Sequence, residues 1–139
     1  MTETPRPEDF PRHSFDKLRY ADTDRLGHVN NAVFSTFFET GRVELLHDRT
    51  APLHAPNGGF VIARLTIDFA AEILWPGTVD IGTRVSAIGR SSLRLQQALF
   101  QDGRHVASSE SVVVHIDLTD RRSRALPPES VAVLEACRR

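Results

Sequence analysis

The spacing of apolar residues predicts one long helix that begins at Asn31 and ends near His47. Its apolar positions recur at intervals of three or four residues, which puts them on one face of an α-helix. That face carries Phe34, Phe37, Phe38, Gly41 and Leu45, with Val33 and Leu46 at its margins. A glycine inside a helix costs about 1 kcal/mol relative to alanine. Its presence therefore predicts close packing of the helix backbone against a sheet.

Four later segments show the alternation of apolar and polar residues that is typical of β-strands. They cover residues 59–73, 78–89, 91–100 and 104–118. The last of them has four apolar side chains on one face: Val112, Val114, Ile116 and Leu118. Glycines and the Gln-Asp-Gly turn at 101–103 separate the strands.

Two shorter elements flank this region. A strand is expected from residue 14 to Ala21 or Asp22, and a helix within residues 127–139, where Pro128 suits the first turn. The resulting order is strand, long helix, four strands and short helix. This order favours an α+β fold in which a largely antiparallel sheet wraps around the long helix.

Composition narrows the class of protein. The 139 residues are 40% hydrophobic and carry a net charge of -1, which fits one globular domain and gives no electrostatic reason to expect nucleic acid or membrane as partner. The prolines of residues 1–13 predict a flexible lead, so the domain is expected to span 14–139. Cys137 is the only cysteine, which indicates a reducing compartment. No segment has the roughly 20 apolar residues of a membrane span, so we expect a soluble cytoplasmic protein.

The segment YADTDRLGHVNNAVF, from Tyr20 to Phe34, concentrates polar groups at the helix entrance. A helix N-terminus presents unpaired backbone N–H groups and the positive end of the helix dipole, so it can stabilise an oxyanion. Asp24 lies seven residues before Asn31, and Gly27 lets the chain turn between them. A carboxylate base or nucleophile facing an oxyanion donor is the arrangement that acyl-transfer chemistry needs.

A purely structural role also explains these residues. Asp and Asn are favoured at helix N-caps, so the GHVNN segment is also expected of a loop that satisfies the end of a helix. His28 is equally compatible with a loop position, and Asp22 with the end of the preceding strand. Spacing by itself does not separate the two interpretations.

The longer segment RYADTDRLGHVNNAVFSTFFETGRVELL resembles the signature of hotdog-fold acyl-CoA thioesterases of the 4-hydroxybenzoyl-CoA thioesterase type. The resemblance continues through VIARLTIDF, residues 79–118 and ALPPE, and so covers roughly residues 14–130. The HVNN variant is also similar to plant-type acyl-carrier-protein thioesterases. The resemblance implies a hotdog fold, in which an antiparallel sheet of about five strands wraps a long central helix.

The resemblance also implies the roles of individual residues. The second aspartate of the family motif is catalytic and corresponds to Asp24, as a general base for water or as a nucleophile. The family's oxyanion donor is a backbone N–H at the helix start, which corresponds to Asn31. His28 or Asn30 would orient water or the thioester carbonyl, and Gly27 would belong to the substrate site.

Family members pair through an edge strand, which corresponds here to residues 60–69, and a homodimer or homotetramer is therefore expected. Ser91 and Ser92 match a hydroxyl pair at the turn that faces the partner subunit's pantetheine, although they also suit a polar β-turn. Arg90 is a candidate for the phosphates of coenzyme A, as are the arginines of residues 120–124. A charged hairpin is the alternative explanation for these arginines.

These features predict a thioester hydrolase that acts on acyl-CoA or acyl-carrier protein without a cofactor, since coenzyme A is part of the substrate. No HExxH motif or Cys/His cluster indicates a metal site. Two departures leave the acyl group undetermined: the polar Asn30 and Asn31 replace an aromatic wall, and Arg25 follows Asp24. The alternatives are a non-catalytic acyl-binding protein of the same fold, and a hydratase or dehydratase, which relies on an Asp–His pair in a different loop pattern.

Overall fold

The computed structural model describes residues 3–138, so residues 1, 2 and 139 of the expected lead and terminal helix lie outside the described residues. Its elements are β1 (Arg12–Lys17), α1 (Asn31–Leu46), β2 (Gly58–Phe69), β3 (Thr78–Ile88), β4 (Ser92–Gln101), β5 (Arg104–Asp117) and α2 (Pro128–Glu135). Short 3-10 helices lie at Pro7–Asp9 and Tyr20–Asp22. The order of strands and α-helices is the one that the sequence pattern predicts.

The strands form one antiparallel sheet in the order β1-β3-β4-β5-β2. β1 and β2 are therefore its edge strands. α1 packs on this sheet, with contacts to β1, β3 and β4. A long helix held by a five-stranded antiparallel sheet is the hotdog arrangement, so the predicted fold is confirmed.

The predicted apolar face of α1 is buried against the sheet. Its central residues Phe34, Phe37, Phe38, Gly41 and Leu45 are all buried. A Cβ atom at Gly41 would lie 2.7 Å from the Oγ1 atom of Thr83 and 2.9 Å from the Cγ2 atom of Ile81. Side chains do not pack this closely, so glycine is what lets the helix backbone approach the sheet. The close packing predicted from Gly41 is confirmed.

Two strand bounds differ from the prediction. β1 begins at Arg12, two residues before the expected start, and ends at Lys17, because residues 20–22 close a 3-10 turn instead of extending the strand. β2 ends at Phe69, four residues before the expected end. The two amides that follow Phe69 both donate to the carbonyl oxygen of Val106, which interrupts the regular ladder.

The segment before β1 packs on the domain, in contrast to the flexible lead that its prolines suggest. Phe10 is buried, and its ring centroid lies 6.2 Å from that of Phe100 on β4. Pro7 opens the first 3-10 helix, a position where the missing N–H of proline removes no hydrogen bond. The segment from Pro7 to Phe10 therefore lies against β3 and β4.

β5 buries a different row from the apolar one identified in the sequence. The buried row is Ala107, Ser109, Ser111, Val113 and His115. The run Val112–Val114 is apolar on both faces of the strand, so alternation did not reveal the internal face. Pairing with β4 reveals it, because Ser109 is registered with Gln97, whose Nε2 donates to the carbonyl oxygen of Phe38 in α1 at 3.0 Å.

Candidate functional site

The loop from Thr23 to Asn30 leads directly into α1 and is closed by its own backbone. The amide of Asp24 donates to the carbonyl oxygen of His28 at 2.9 Å, and the amide of Gly27 donates to that of Asp24 at 3.0 Å. Gly27 has a φ of 83°, in the left-handed region that favours glycine. The predicted sharp turn is therefore present at Gly27.

Two further backbone bonds attach this loop to the rest of the domain. The amide of Val29 donates to the carbonyl oxygen of Ile73 at 2.9 Å, and the amide of Asn30 donates to that of Asp22 at 2.8 Å. Val29 and Ile73 are both buried. The loop is thus held by the core on one side and by the preceding turn on the other, which fixes the position of the helix start.

The amide of Asn31 is the unpaired donor among the first three amides of α1. Asn30 is the N-cap, and its Oδ1 atom accepts from the amide of Ala32 at 2.9 Å. The carbonyl oxygen of Asn30 accepts from the amide of Val33, also at 2.9 Å. No acceptor within residues 3–138 is bonded to the amide of Asn31. This amide stands at the positive end of the helix dipole and is free to donate to an external oxygen.

Asp24 keeps an available carboxylate. Its side chain is exposed, and its Oδ1 atom accepts from the amide of Leu26 at 2.9 Å. Its Oδ2 atom has no partner in the described part of the chain. Asp24 and Asn31 therefore combine an exposed carboxylate with an unpaired amide at the two ends of one short loop, which is a chemical pairing suited to acyl transfer.

Asp22 has a different environment from Asp24, although one residue separates them. Its side chain is 2% exposed and accepts from the amide and the guanidinium of Arg19, each at 2.8 Å. Burial opposes ionisation of this carboxyl, but the hydrogen bonds and the charge of Arg19 outweigh it and hold the pKa of Asp22 below its usual range. Asp22 therefore anchors the turn before the loop.

His28 contacts a residue that sequence reasoning missed. Its Nε2 atom lies 2.8 Å from the Oε2 atom of Glu72, and both side chains are partly exposed. The contact exists because His28 forms a β-bridge with Leu74, which brings the chain after β2 alongside the loop. A single glutamate in the AAEIL segment gives no local signal for such a contact, since only tertiary pairing creates it.

Two exposed aromatic side chains belong to the same region of the chain. Tyr20 is 74% exposed and Trp75 is 44% exposed, and their ring centroids lie 5.3 Å apart in an edge-to-face arrangement. Exposed aromatic residues are enriched at binding surfaces. The sequence motif contains Tyr20 without assigning it a role, and no local signal indicates Trp75, because the pairing joins two distant segments.

The predicted serine and arginine group lies far from Asp24 within one chain. Arg90, Ser91 and Ser92 occupy the turn between β3 and β4, whereas the helix entrance is attached to residues 73–74, before β3 begins. The 11 residues of β3 span about 36 Å. The two groups therefore lie at opposite ends of the sheet.

The described residues contain no evident metal site. Within residues 3–138, no group of three or more His, Cys, Asp or Glu side chains is arranged to hold a metal ion. Over the same range, no helix has both the length and the apolar character to cross a membrane. Arg124 of the predicted arginine cluster donates from its Nη1 atom to the carbonyl oxygen of Pro56 at 2.8 Å, and the same atom lies 3.6 Å from the Oδ2 atom of Asp117.

Sequence comparisons point to one family of proteins. The profile of the thioesterase-like superfamily matches residues 18–134. The acyl-CoA thioester hydrolase YbgC of Escherichia coli O157:H7 is 28% identical over 120 residues, which cover 84% of this chain and 90% of that relative. The acyl-CoA thioesterase YbgC of Haemophilus influenzae is 26% identical over 117 residues, which cover 81% of this chain and 86% of that relative.

Solved structures have the same fold. A thioesterase from Thermus thermophilus, in complex with coenzyme A and Zn, is 32% identical, with a TM-score of 0.78 and coverage of 94% of this chain and 96% of that chain. The PA5185 protein from Pseudomonas aeruginosa PAO1 is 27% identical, with a TM-score of 0.87 and coverage of 98% and 97%. The similarity in each case extends over almost the whole domain.

Replacement of Asp22 by asparagine is expected to lower the free energy of unfolding at pH 7 by about 1–3 kcal/mol, because the donors of Arg19 lose a charged acceptor. The pKa of Asp22 is depressed in the folded protein, so its contribution is complete above the unfolded pKa of about 3.9 and is lost as pH falls through the folded pKa. Urea unfolding at a series of pH values should show the gap between wild type and variant narrowing below about pH 4. A gap that stays constant into acid would contradict this role, and Asp24→Asn is the exposed control.

Proposed function

We propose that this chain, which belongs to the thioesterase-like superfamily, hydrolyses an acyl-CoA thioester to a carboxylic acid and free coenzyme A. The observation that carries the proposal is the unpaired amide of Asn31, which follows the loop of the exposed Asp24 carboxylate. The names of the YbgC relatives support acyl-CoA as the substrate class. The proposed reaction needs no cofactor besides the coenzyme A of the substrate.

The amide of Asn31 would hold the thioester oxygen. Negative charge develops on this oxygen when a nucleophile attacks the carbonyl carbon, and a fixed N–H donor at a helix start stabilises that charge more in the transition state than in the ground state. The N-cap role of Asn30 supports this assignment, because its two oxygen acceptors bind the amides of Ala32 and Val33 and leave the Asn31 amide unpaired.

Asp24 would supply the attacking group by one of two routes. As a general base, its carboxylate takes a proton from water, the water oxygen bonds to the carbonyl carbon, and the carbon–sulfur bond breaks to release the thiolate, which is then protonated. As a nucleophile, the carboxylate itself displaces the thiolate and forms an anhydride, which water then hydrolyses. Both routes require the exposed carboxylate, and the proposal includes either.

His28 would orient the attacking water or the thioester carbonyl, with Glu72 as its positioning residue. The Nε2–Oε2 distance of 2.8 Å lets the imidazole donate to Glu72, which fixes the ring and its tautomer. The backbone carbonyl of His28 already accepts from the amide of Asp24, so the two side chains leave the same closed turn. The sequence predicted a role for His28, and the contact with Glu72 adds a second residue to that role.

The proposal includes a homodimer formed through β2. This edge strand has 12 residues without proline, and its apolar side chains Ile62 and Phe69 are 46% and 51% exposed. Long edge strands with exposed apolar side chains pair with another chain unless something covers them. Association of such dimers into a tetramer stays a prediction of the sequence resemblance.

Pairing through β2 would bring the Phe60 end of the sheet in one copy close to the start of α1 in the other copy. Phe69 lies beside the helix start, 5.0 Å from the ring of Phe34, and Phe60 lies beside the helix end, 5.9 Å from the ring of His47. β2 thus runs opposite to α1, and a two-fold axis across β2 reverses one copy relative to the other. The turn 90–92, at the Phe60 end, would then approach the partner's site.

Asp24→Asn is expected to reduce kcat for acyl-CoA hydrolysis by about 1000-fold, because asparagine neither accepts a proton nor attacks a carbonyl. The measurement is thiol release from short-, medium- and long-chain and aryl acyl-CoAs. The matched control is Asp120→Asn, since Asp120 is also exposed and accepts the amide two residues later at 2.9 Å. The control should leave kcat unchanged.

Other outcomes of this assay have distinct meanings. Full activity of Asp24→Asn removes Asp24 from the mechanism. Turnover of acyl-carrier-protein thioesters without turnover of any acyl-CoA changes the substrate class. Binding of acyl-CoA by wild type without any turnover identifies a non-catalytic acyl-binding protein, and hydration of crotonyl-CoA identifies a hydratase.

His28→Gln and Glu72→Gln test whether the two side chains act as a unit. His28→Gln is expected to lower kcat by about 10- to 100-fold. Glu72→Gln should lower it less, and the double variant should be no slower than His28→Gln, because Glu72 acts through His28. Losses that simply multiply would show that the two residues act independently.

Ile62→Lys is expected to convert the dimer to a single chain, because it puts a charge on the exposed apolar side of β2. Light scattering should give twice the chain mass of 15.5 kDa for wild type and the single-chain mass for the variant. Val133→Lys is the control, since Val133 is 42% exposed on α2, away from β2. A single-chain mass for wild type at every concentration contradicts the proposed dimer.

A further inference from the structure

A groove of about 260 Å³ lies beside the second half of α1, and we call it the side groove. Its apolar walls are Leu46 of α1, Phe60 and Ile62 of β2, and Val113 of β5. Three polar side chains also line the side groove: Glu39, Arg42 and His47. A partly buried guanidinium is costly unless acceptors complete its hydrogen bonds, so the partners of Arg42 decide what the side groove can bind.

The guanidinium of Arg42 is incompletely paired. The side chain is half-buried, and its Nη1 atom is buried without a hydrogen-bond partner within residues 3–138. Burial lowers the pKa of Arg42, and the charge of Glu39 partly offsets this effect. Arginine stays charged under all such conditions. Glu39 lines the same groove, but no ion pair joins it to Arg42 among the described residues, so the Nη1 atom of Arg42 can donate to a further anion.

The side groove lies on the same side of α1 as the amide of Asn31, the proposed oxyanion donor. Arg42 lies eleven residues after Asn31, which is about three helical turns, so the two share one side of α1 and their Cα atoms are about 16 Å apart. Arginine side chains on a helix lean toward its N-terminus, which brings the guanidinium closer to Asn31. An acyl group held at the Asn31 amide and extended along α1 therefore meets Arg42.

We propose that the preferred acyl group carries a carboxylate at its far end, so that the substrates are monothioesters of dicarboxylic acids. The inference rests on the proposed function, because it assumes that the thioester is held at Asn31. The planar guanidinium of Arg42 pairs with a carboxylate through two parallel hydrogen bonds, and the apolar walls contact the methylene chain. Substrates with a methyl end lack this pairing and leave a buried donor unsatisfied, which disfavours them.

The test measures binding of coenzyme A thioethers, which cannot be hydrolysed. Calorimetry compares S-hexyl-, S-octyl- and S-decyl-CoA with the thioethers of the same chain length that end in a carboxylate. Wild type should bind a carboxylate-ended thioether about tenfold or more tightly than its alkyl counterpart. Arg42→Met, which keeps the length of the side chain without its charge, should abolish this ratio or reverse it. Arg94→Met removes an exposed arginine of β4 and should retain the ratio.

Three results would overturn the inference: equal affinity for the two series, no affinity for either, or a carboxylate preference that survives in Arg42→Met.

A second copy of the chain is the competing partner of Arg42, through the carboxylate of Glu39. Light scattering on Arg42→Met and Glu39→Gln identifies that case. Both variants would then dissociate to single chains, and wild type would show no preference for the carboxylate-ended thioethers. Because binding of thioethers needs no turnover, its outcome is independent of the hydrolysis assay that tests the proposed function.

Discussion

The close contact between α1 and the sheet at Gly41 is the constraint on which the remaining structure depends. A helix with three phenylalanines on one face must bury that face, and the missing side chain at Gly41 lets its backbone approach Thr83 and Ile81. The contact fixes the axis of α1 and therefore the point where its first turn emerges from the sheet. At that point the loop is attached through the Val29–Ile73 bond, so the core determines the position of the catalytic candidates.

The polar groups at the helix entrance have separate tasks. Asp22 is buried and bound by Arg19, and Asn30 satisfies the first turn of the helix, so both have structural roles. Once these partners are assigned, the carboxylate of Asp24 and the amide of Asn31 remain available to an external molecule. Within one motif, Asp22 and Asn30 therefore have structural roles, while Asp24 and Asn31 are the candidates for the proposed chemistry.

The features that the sequence predicted correctly are those set by residues close together in the chain. The phenylalanine face follows from helical spacing, and the turn at Gly27 follows from the freedom of glycine. The contact of His28 with Glu72, and the position of Arg42 beside β2, depend on elements that meet only in the folded chain. The internal face of β5 was hidden for a related reason, because its valine run is apolar on both sides and only strand pairing distinguishes them.

The central claim is that the unpaired amide of Asn31 receives the oxygen of the acyl carbonyl. The most direct measurement is the ¹H–¹⁵N spectrum of the protein during titration with an acyl-CoA analogue in which a methylene group replaces the thioester sulfur. The ketone of this analogue should shift the Asn31 amide proton strongly downfield, because that amide gains an acceptor that it lacks in the free protein. Saturation of the protein with the Asn31 resonance unmoved, while amides elsewhere shift, would contradict the account.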